Sequence, residues 1–186
     1  RDDSGKSPKN SSDKRECASM SSTTAKADPG AATATDADAE IRAILTQYTR
    51  IALVGASAKP ERPSNGVMGF LLRHGFSVTP VNPGLVGQNI HGQTVVGTLD
   101  EAAPLEIVDV FRSSDQVGPV VEDAIRLGAR VVWMQLGVVN REAAAAARAA
   151  GITVVMDRCP AIEWPRLGLK RTPPAAGAAV APGAPE

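Results

Sequence analysis

Gly55, Ala56, Ser57, Lys59, Arg62 and Ser64 stand together in one short stretch, and their types and spacing suit the holding of an anion. They follow the apolar run Ile51-Ala-Leu-Val54 and precede an apolar helical pattern, so they form a strand–turn–helix junction. A glycine, lacking Cβ, lets a bound group approach the backbone closely. Ser57 adds a hydroxyl donor, and the amides that open the next helix, around residues 64–67, carry the positive end of its dipole. Lys59 and Arg62 add mobile positive charge, although Lys59 reads equally well as a solvated surface lysine. This is the chemistry of phosphate or diphosphate recognition. The junction departs from the G-x-G-x-x-G fingerprint: Ala-Ser follows Gly55, and Pro60 and Pro63 stiffen a loop longer than a two-residue turn.

The next strand bears on which nucleotide would be held. A site for NAD wants an acidic residue about 20 positions after the glycine turn, to accept from the adenosine ribose. No acidic residue occurs between Glu61 and Asp100, and the strand ends instead in Pro80-Val81-Asn82-Pro83. With Arg62 and Arg73 in the same stretch, a phosphorylated ribose is the better match. NADP, phosphorylated at the 2′ position, and coenzyme A, phosphorylated at the 3′ position, both qualify.

The elements that must position these residues alternate regularly. A helix over Asp38–Thr49 carries Ile41, Ile44, Leu45 and Tyr48 at helical spacing. Strands are predicted at 51–54, 77–81, 94–96, 107–111, 130–134 and 152–156. Helices are predicted from an N-cap at Ser64 to Gly75, at 99–103 before Pro104, at 115–127 before Gly128, and from Asn140 to Gly151. This alternation specifies an α/β fold, Rossmann-like and doubly wound, with a mostly parallel sheet covered by helices on both faces. The expected strand order is 3-2-1-4-5 with an added sixth strand. Ligands of such sheets sit beyond the carboxyl ends of the strands. The candidates are then Gly55-Ala-Ser57, Asn82-Pro83, Phe111-Arg112-Ser113, Gln135-Leu-Gly137 and Asp157-Arg-Cys159.

Composition narrows the classes. The formal net charge of the 186 residues is zero and aromatics are few, which argues against a nucleic-acid partner. No apolar run approaches the roughly 20 residues of a membrane span. With no signal-peptide core at the N-terminus, a cytoplasmic location is the default expectation. Cys17 and Cys159 are too few for a disulfide framework, and metal-ligand spacings are absent. Residues 1–38 and 172–186 are poor in branched apolar side chains and read as disordered tails around one domain, 39–171. Met20 is a candidate start of translation.

The segments Val54-Gly-Ala-Ser57, Lys59-Pro-Glu-Arg-Pro-Ser64, Val81-Asn-Pro83, Val108-Asp-Val-Phe-Arg112, Trp133-Met-Gln-Leu-Gly137 and Val155-Met-Asp-Arg-Cys-Pro160 resemble the stand-alone CoA-binding domain proteins, the YccU-like family. That family is similar in fold to the N-terminal domain of the succinyl-CoA synthetase α subunit. The resemblance runs from about Ile41 to Leu169. It implies that Gly55, Ala56 and Ser57 lie under the CoA diphosphate, with Lys59, Arg62 and Ser64 in the adjoining basic loop. It implies Val81, Asn82 and Pro83 beside the adenosine, Phe111 and Arg112 near the pantetheine path, and Gln135 and Gly137 in the loop after the fifth strand. Many relatives carry a basic residue after the Asn-Pro-like turn, where this chain has Gly84-Leu85, so Arg62 is left to carry more of the 3′-phosphate contact. The phosphorylated histidine of the ligase relatives belongs to a second domain for which this chain has no room.

Other residues keep two readings each. Trp133 is a core residue or a pocket wall. Arg112 faces a ligand or pairs with Asp109 or Asp115. His74 reads as structural at a helix end, and His91 lies in a Gly-rich loop with no acid nearby in sequence. Cys159 is a buried inert thiol, or one activated by Arg158 that forms a mixed disulfide with CoA. Asp157 and Glu163 have no nucleophile or metal set around them in sequence. The preferred reading is a module that binds coenzyme A or an acyl-CoA, as monomer or homodimer, without catalysis. The alternatives are an NADP-binding oxidoreductase-like protein and the Cys159 redox module.

Overall fold

The computed structural model describes residues 34–171, so both predicted tails and Cys17 lie outside the described residues, except that the helix predicted from Asp38 already begins at Ala34. Five strands, β1 (Arg50–Val54), β2 (Ser77–Val81), β5 (Ile107–Val110), β6 (Val131–Met134) and β7 (Thr153–Val155), form one sheet in the order β2-β1-β5-β6-β7. Every pairing in it is parallel. β1 thus lies between β2 and β5, and the strand order reverses there, as the sequence pattern requires. Five helices, α1 (Ala34–Gln47), α2 (Pro63–Arg73), α3 (Val117–Arg126), α4 (Arg141–Ala149) and α5 (Pro160–Arg166), cover the sheet.

Alternation along the strands divides the core between the two faces. Ile51, Leu53, Ile107, Val131 and Trp133 pack with Ile41 and Leu45 of α1, Met68 and Leu71 of α2 and Trp164 of α5. Ala52, Val54, Val108, Val110, Val132 and Met134 pack with Val117 and Val121 of α3 and Ala144 and Ala147 of α4. Ala143, Ala144 and Ala147 of α4 pack inside the chain against α3 and the sheet, while Ala145, Ala146 and Ala149 are exposed.

Four expectations need correction. The third strand is not a full member of the sheet: residues 89–94 form a small antiparallel hairpin, β3 (Asn89–Ile90) and β4 (Gln93–Thr94). Only a single parallel bridge, Val81 to Val96, joins this segment to the edge at β2. Ser64 is not the N-cap of α2. The helix opens at Pro63, with extended Arg62 as cap and no side-chain cap bond, because a proline at the first helical position has its φ already set. The segment predicted as one helix from Asp115 begins as a 3-10 turn, Ser114–Gln116, before α3. Finally, α5 was not predicted; its short apolar run holds Pro160 and Pro165, which mask a helical period.

The two ends of the described chain are tied together. Arg166 of α5 makes a paired contact with Asp38 of α1 at 2.5 and 2.9 Å and also bonds to the buried Glu163. Arg171 donates to the carbonyls of Leu45 and Thr46, in the last turn of α1, and of Tyr48 just beyond it, while its guanidinium lies over the Phe76 ring.

Candidate functional site

The junction after β1 is shaped by its neighbours. Gly55 adopts φ +90°, and a Cβ there would come within 2.3 Å of the Phe111 carbonyl oxygen. The chain after β5 presses against it because the Phe111 amide donates to the Val54 carbonyl at 2.8 Å. Glycine is thus required at 55 by the packing of the protein itself, before any ligand arrives. The Gly55 amide donates to the Val81 carbonyl at 3.0 Å, which ties the junction to the end of β2.

Two asparagines hold the loop that follows. Asn82 donates through Nδ2 to the Ala56 carbonyl at 2.7 Å and accepts the Gly84 amide at 2.9 Å. Asn65, buried in the first turn of α2, donates through Nδ2 to the Ser57 carbonyl at 2.9 Å. With both carbonyls fixed, the backbone amides of Ser57 and Ala58 are left without a protein partner among the described residues. Free amides at a strand end beside a helix N-terminus are the donor set an anion needs.

Loop and turn enclose a cleft of about 580 Å³ lined by Ser57, Lys59, Glu61, Arg62, Asn82, Gly84 and Leu85. Lys59 and Arg62 are exposed and form no ion pair among the described residues. Glu61 is the carboxylate in this lining and tempers their charge. Pro83 opens the short 3-10 turn Pro83–Leu85 that forms the far wall. Of the nominated residues in the loop and the turn, Gly55, Ala56, Ser64, Val81 and Pro83 do not line the cleft. Ser64 is buried within α2, and the Val81 side chain packs into the α3–α4 face of the core, leaving its carbonyl to hold Gly55.

The remaining nominated residues continue along the same sheet edge. Phe111 and Arg112 are half-buried, and Arg112 forms no salt bridge to Asp109 or Asp115, one of its two readings. Gln135 is buried and its Nε2 donates to Asp109 Oδ1 at 2.7 Å. Gly137, at φ +76°, donates its amide to Asp157 Oδ1 at 2.8 Å, and Asp157 itself holds φ +57°. From the sequence Asp109 was named only as a salt-bridge partner for Arg112, although a lone acid between Val108 and Val110 was a visible signal of more. It is 1% exposed, its Oδ2 has no partner, and burial pushes its carboxyl up to about 7 against the opposing Gln135 bond.

The side readings resolve as follows. Trp133 is core, with its indole N–H donating to the Arg158 carbonyl at 2.7 Å. His74 stacks on Phe70 at 3.9 Å and meets Trp164 edge-on, a structural role. Arg158 pairs with Glu163 at 3.2 Å, and Cys159 is a buried free thiol whose pKa is pushed up, first by burial. That is the opposite of the activation suggested by Arg158 as its neighbour. Asn65 was missed, and His91 turns out to have a partner in it, as described below. Among the described residues no group of three or more His, Cys, Asp and Glu could hold a metal ion, and no helix is long and apolar enough to cross a membrane.

A parallel sheet that reverses order at β1, with a basic, amide-rich cleft at that point, defines a Rossmann-like ligand-binding domain. The chain matches the CoA binding domain family over residues 49–165 and belongs to it. It is 40% identical over 122 residues to the protein YneT of Bacillus subtilis (strain 168), across 65% of this chain and 89% of that one. A hypothetical protein from Pyrococcus horikoshii OT3 is 46% identical with a TM-score of 0.66, covering 70% of this chain and 91% of the other. A protein of Thermus thermophilus is 38% identical with a TM-score of 0.67, covering 70% of this chain and 98% of its own.

Proposed function

We propose that this chain binds coenzyme A, free or acylated, in the cleft between the 55–62 loop and the 82–85 turn. The carrying observation is a cleft lined by Lys59 and Arg62, which form no ion pair among the described residues, and by Ser57, whose amide has no protein partner among them, while its β2 wall has no carboxylate. The diphosphate lies against Gly55–Ser57 and the start of α2, where amides and helix dipole favour negative charge. Arg62 faces the ribose 3′-phosphate, since Gly84 and Leu85 offer it no cation. The adenosine lies beside Val81–Pro83. The pantetheine arm runs along the sheet edge past Phe111 and Arg112 toward Gln135 and Gly137.

The groups around the cleft recognise charge and shape. The chain therefore acts as a carrier, sensor or regulatory module, with residues 39–171 as the binding unit. A mixed disulfide at Cys159 gains no support from a thiol that is 7% exposed and held protonated by burial. Isothermal titration of the full chain with CoA, dephospho-CoA, NADP and NAD tests the reading. CoA is expected to bind tightest; NADP binding without a CoA signal overturns it.

A further inference from the structure

The segment between β2 and β5 does more than wall the cleft. It supplies Gly84 and Leu85 to the lining and then runs into the β3–β4 hairpin, whose tip is His91-Gly92. Ile90 pairs with Gln93, so the turn has two residues, and both are left-handed: His91 at φ +50° and Gly92 at φ +83°. Such a turn favours Asn or Gly at its first position, and a histidine there carries a conformational cost. The turn itself gives no reason for the imidazole.

The reason lies across the fold. His91 Nε2 is 3.0 Å from both the backbone carbonyl and the side-chain Oδ1 of Asn65. Asn65 Nδ2 is committed to the Ser57 carbonyl, which fixes Oδ1 as the atom facing His91. Both atoms near Nε2 are acceptors, so Nε2 carries the proton and donates. The ring edge also fits over Gly69, where an added Cβ would stand 3.2 Å from His91 Cε1. A relay thus runs from His91 through Asn65 to Ser57, a residue that lines the cleft.

We infer that His91 is a positioning residue for ligand binding: it locks the Asn65 amide, which in turn sets the Ser57 carbonyl and orients the phosphate loop. This rests on the CoA reading above. The test is the variant His91→Gly in the full chain, which removes the ring and at the same time relieves the left-handed backbone. Its melting temperature is expected to hold or rise while CoA affinity falls about five- to tenfold, the range of one lost hydrogen bond. His91→Gln, which returns an N–H at a similar reach, should recover part of that affinity. The double variant with Asn65→Ala should bind no more weakly than Asn65→Ala alone, since both act through one relay. The inference is overturned if His91→Gly binds CoA as the wild type does, if affinity and melting temperature fall together, or if the two losses add. A wild type that fails to bind CoA overturns the binding reading and this inference with it, a result distinct from a binding wild type with an unaffected variant.

Discussion

Asn82 Nδ2 and the Ala56 carbonyl oxygen meet at 2.7 Å, joining the first residue beyond β2 to the loop beyond β1. The other end of the same amide accepts from Gly84, so one side chain sets the distance between the cleft's two walls. Asn82→Ala removes both bonds. The expected cost is about 1–3 kcal/mol of stability by urea unfolding, with CoA affinity lowered at least tenfold by calorimetry. Wild-type affinity in this variant would show that the walls are held by something else.

Gly55 offers a purely steric prediction. An alanine at 55 meets a carbonyl oxygen at 2.3 Å and a φ of +90° that a side chain resists. The contact is backbone, so no rotamer change relieves it. Gly55→Ala should destabilise by about 3 kcal/mol or more, visible as a shifted urea midpoint without any ligand present.

Lys59 and Arg62 make the opposite prediction. Both are exposed and unpaired among the described residues, so replacing either by alanine should leave stability within about 0.5 kcal/mol of the wild type. Arg62→Ala should weaken CoA by about 1.5–3 kcal/mol while leaving dephospho-CoA almost unaffected. Equal losses for both ligands would move the 3′-phosphate contact to another residue.

Asp109 gives a pH signature. Burial raises its folded pKa to about 7 from an ordinary value of 3.8, so between these values the folded state holds a proton that the unfolded state has released. Stability from this group is full below pH 3.8 and is lost as pH rises through about 7. Asp109→Asn keeps the shape and cannot ionise. Its stability relative to wild type should therefore climb between pH 5 and pH 8, by an amount on the order of a few kcal/mol. A flat difference across that range would mean that Asp109 is not held protonated.

The sheet was readable from sequence because its buried parallel strands are short apolar runs closed by glycines and asparagines, and the Asn140 cap and the Gly75, Gly128 and Gly151 stops stand where the pattern put them. Thr94–Val96 misled because a β-rich run can serve a hairpin and one bridge as easily as a full strand. Ser64 misled because a favourable cap residue lost to the proline before it. The basic and glycine-bearing parts of the cleft were legible from residue type. Asn65 and His91 were not, because their meaning is a contact across 26 positions that neither spacing nor propensity encodes.

The pairing of Arg166 with Asp38, and of Arg171 with the carbonyls at the C-terminal end of α1, lays the last described residues along the first helix. The order of elements along the chain is therefore separable from the fold. A linker long enough to run back along α1, about 20 Å, with new termini opened at the exposed turn around Gly128, gives a circular permutant that keeps every strand pairing of the sheet. A fragment cut at Leu169, by contrast, leaves the first helix uncapped.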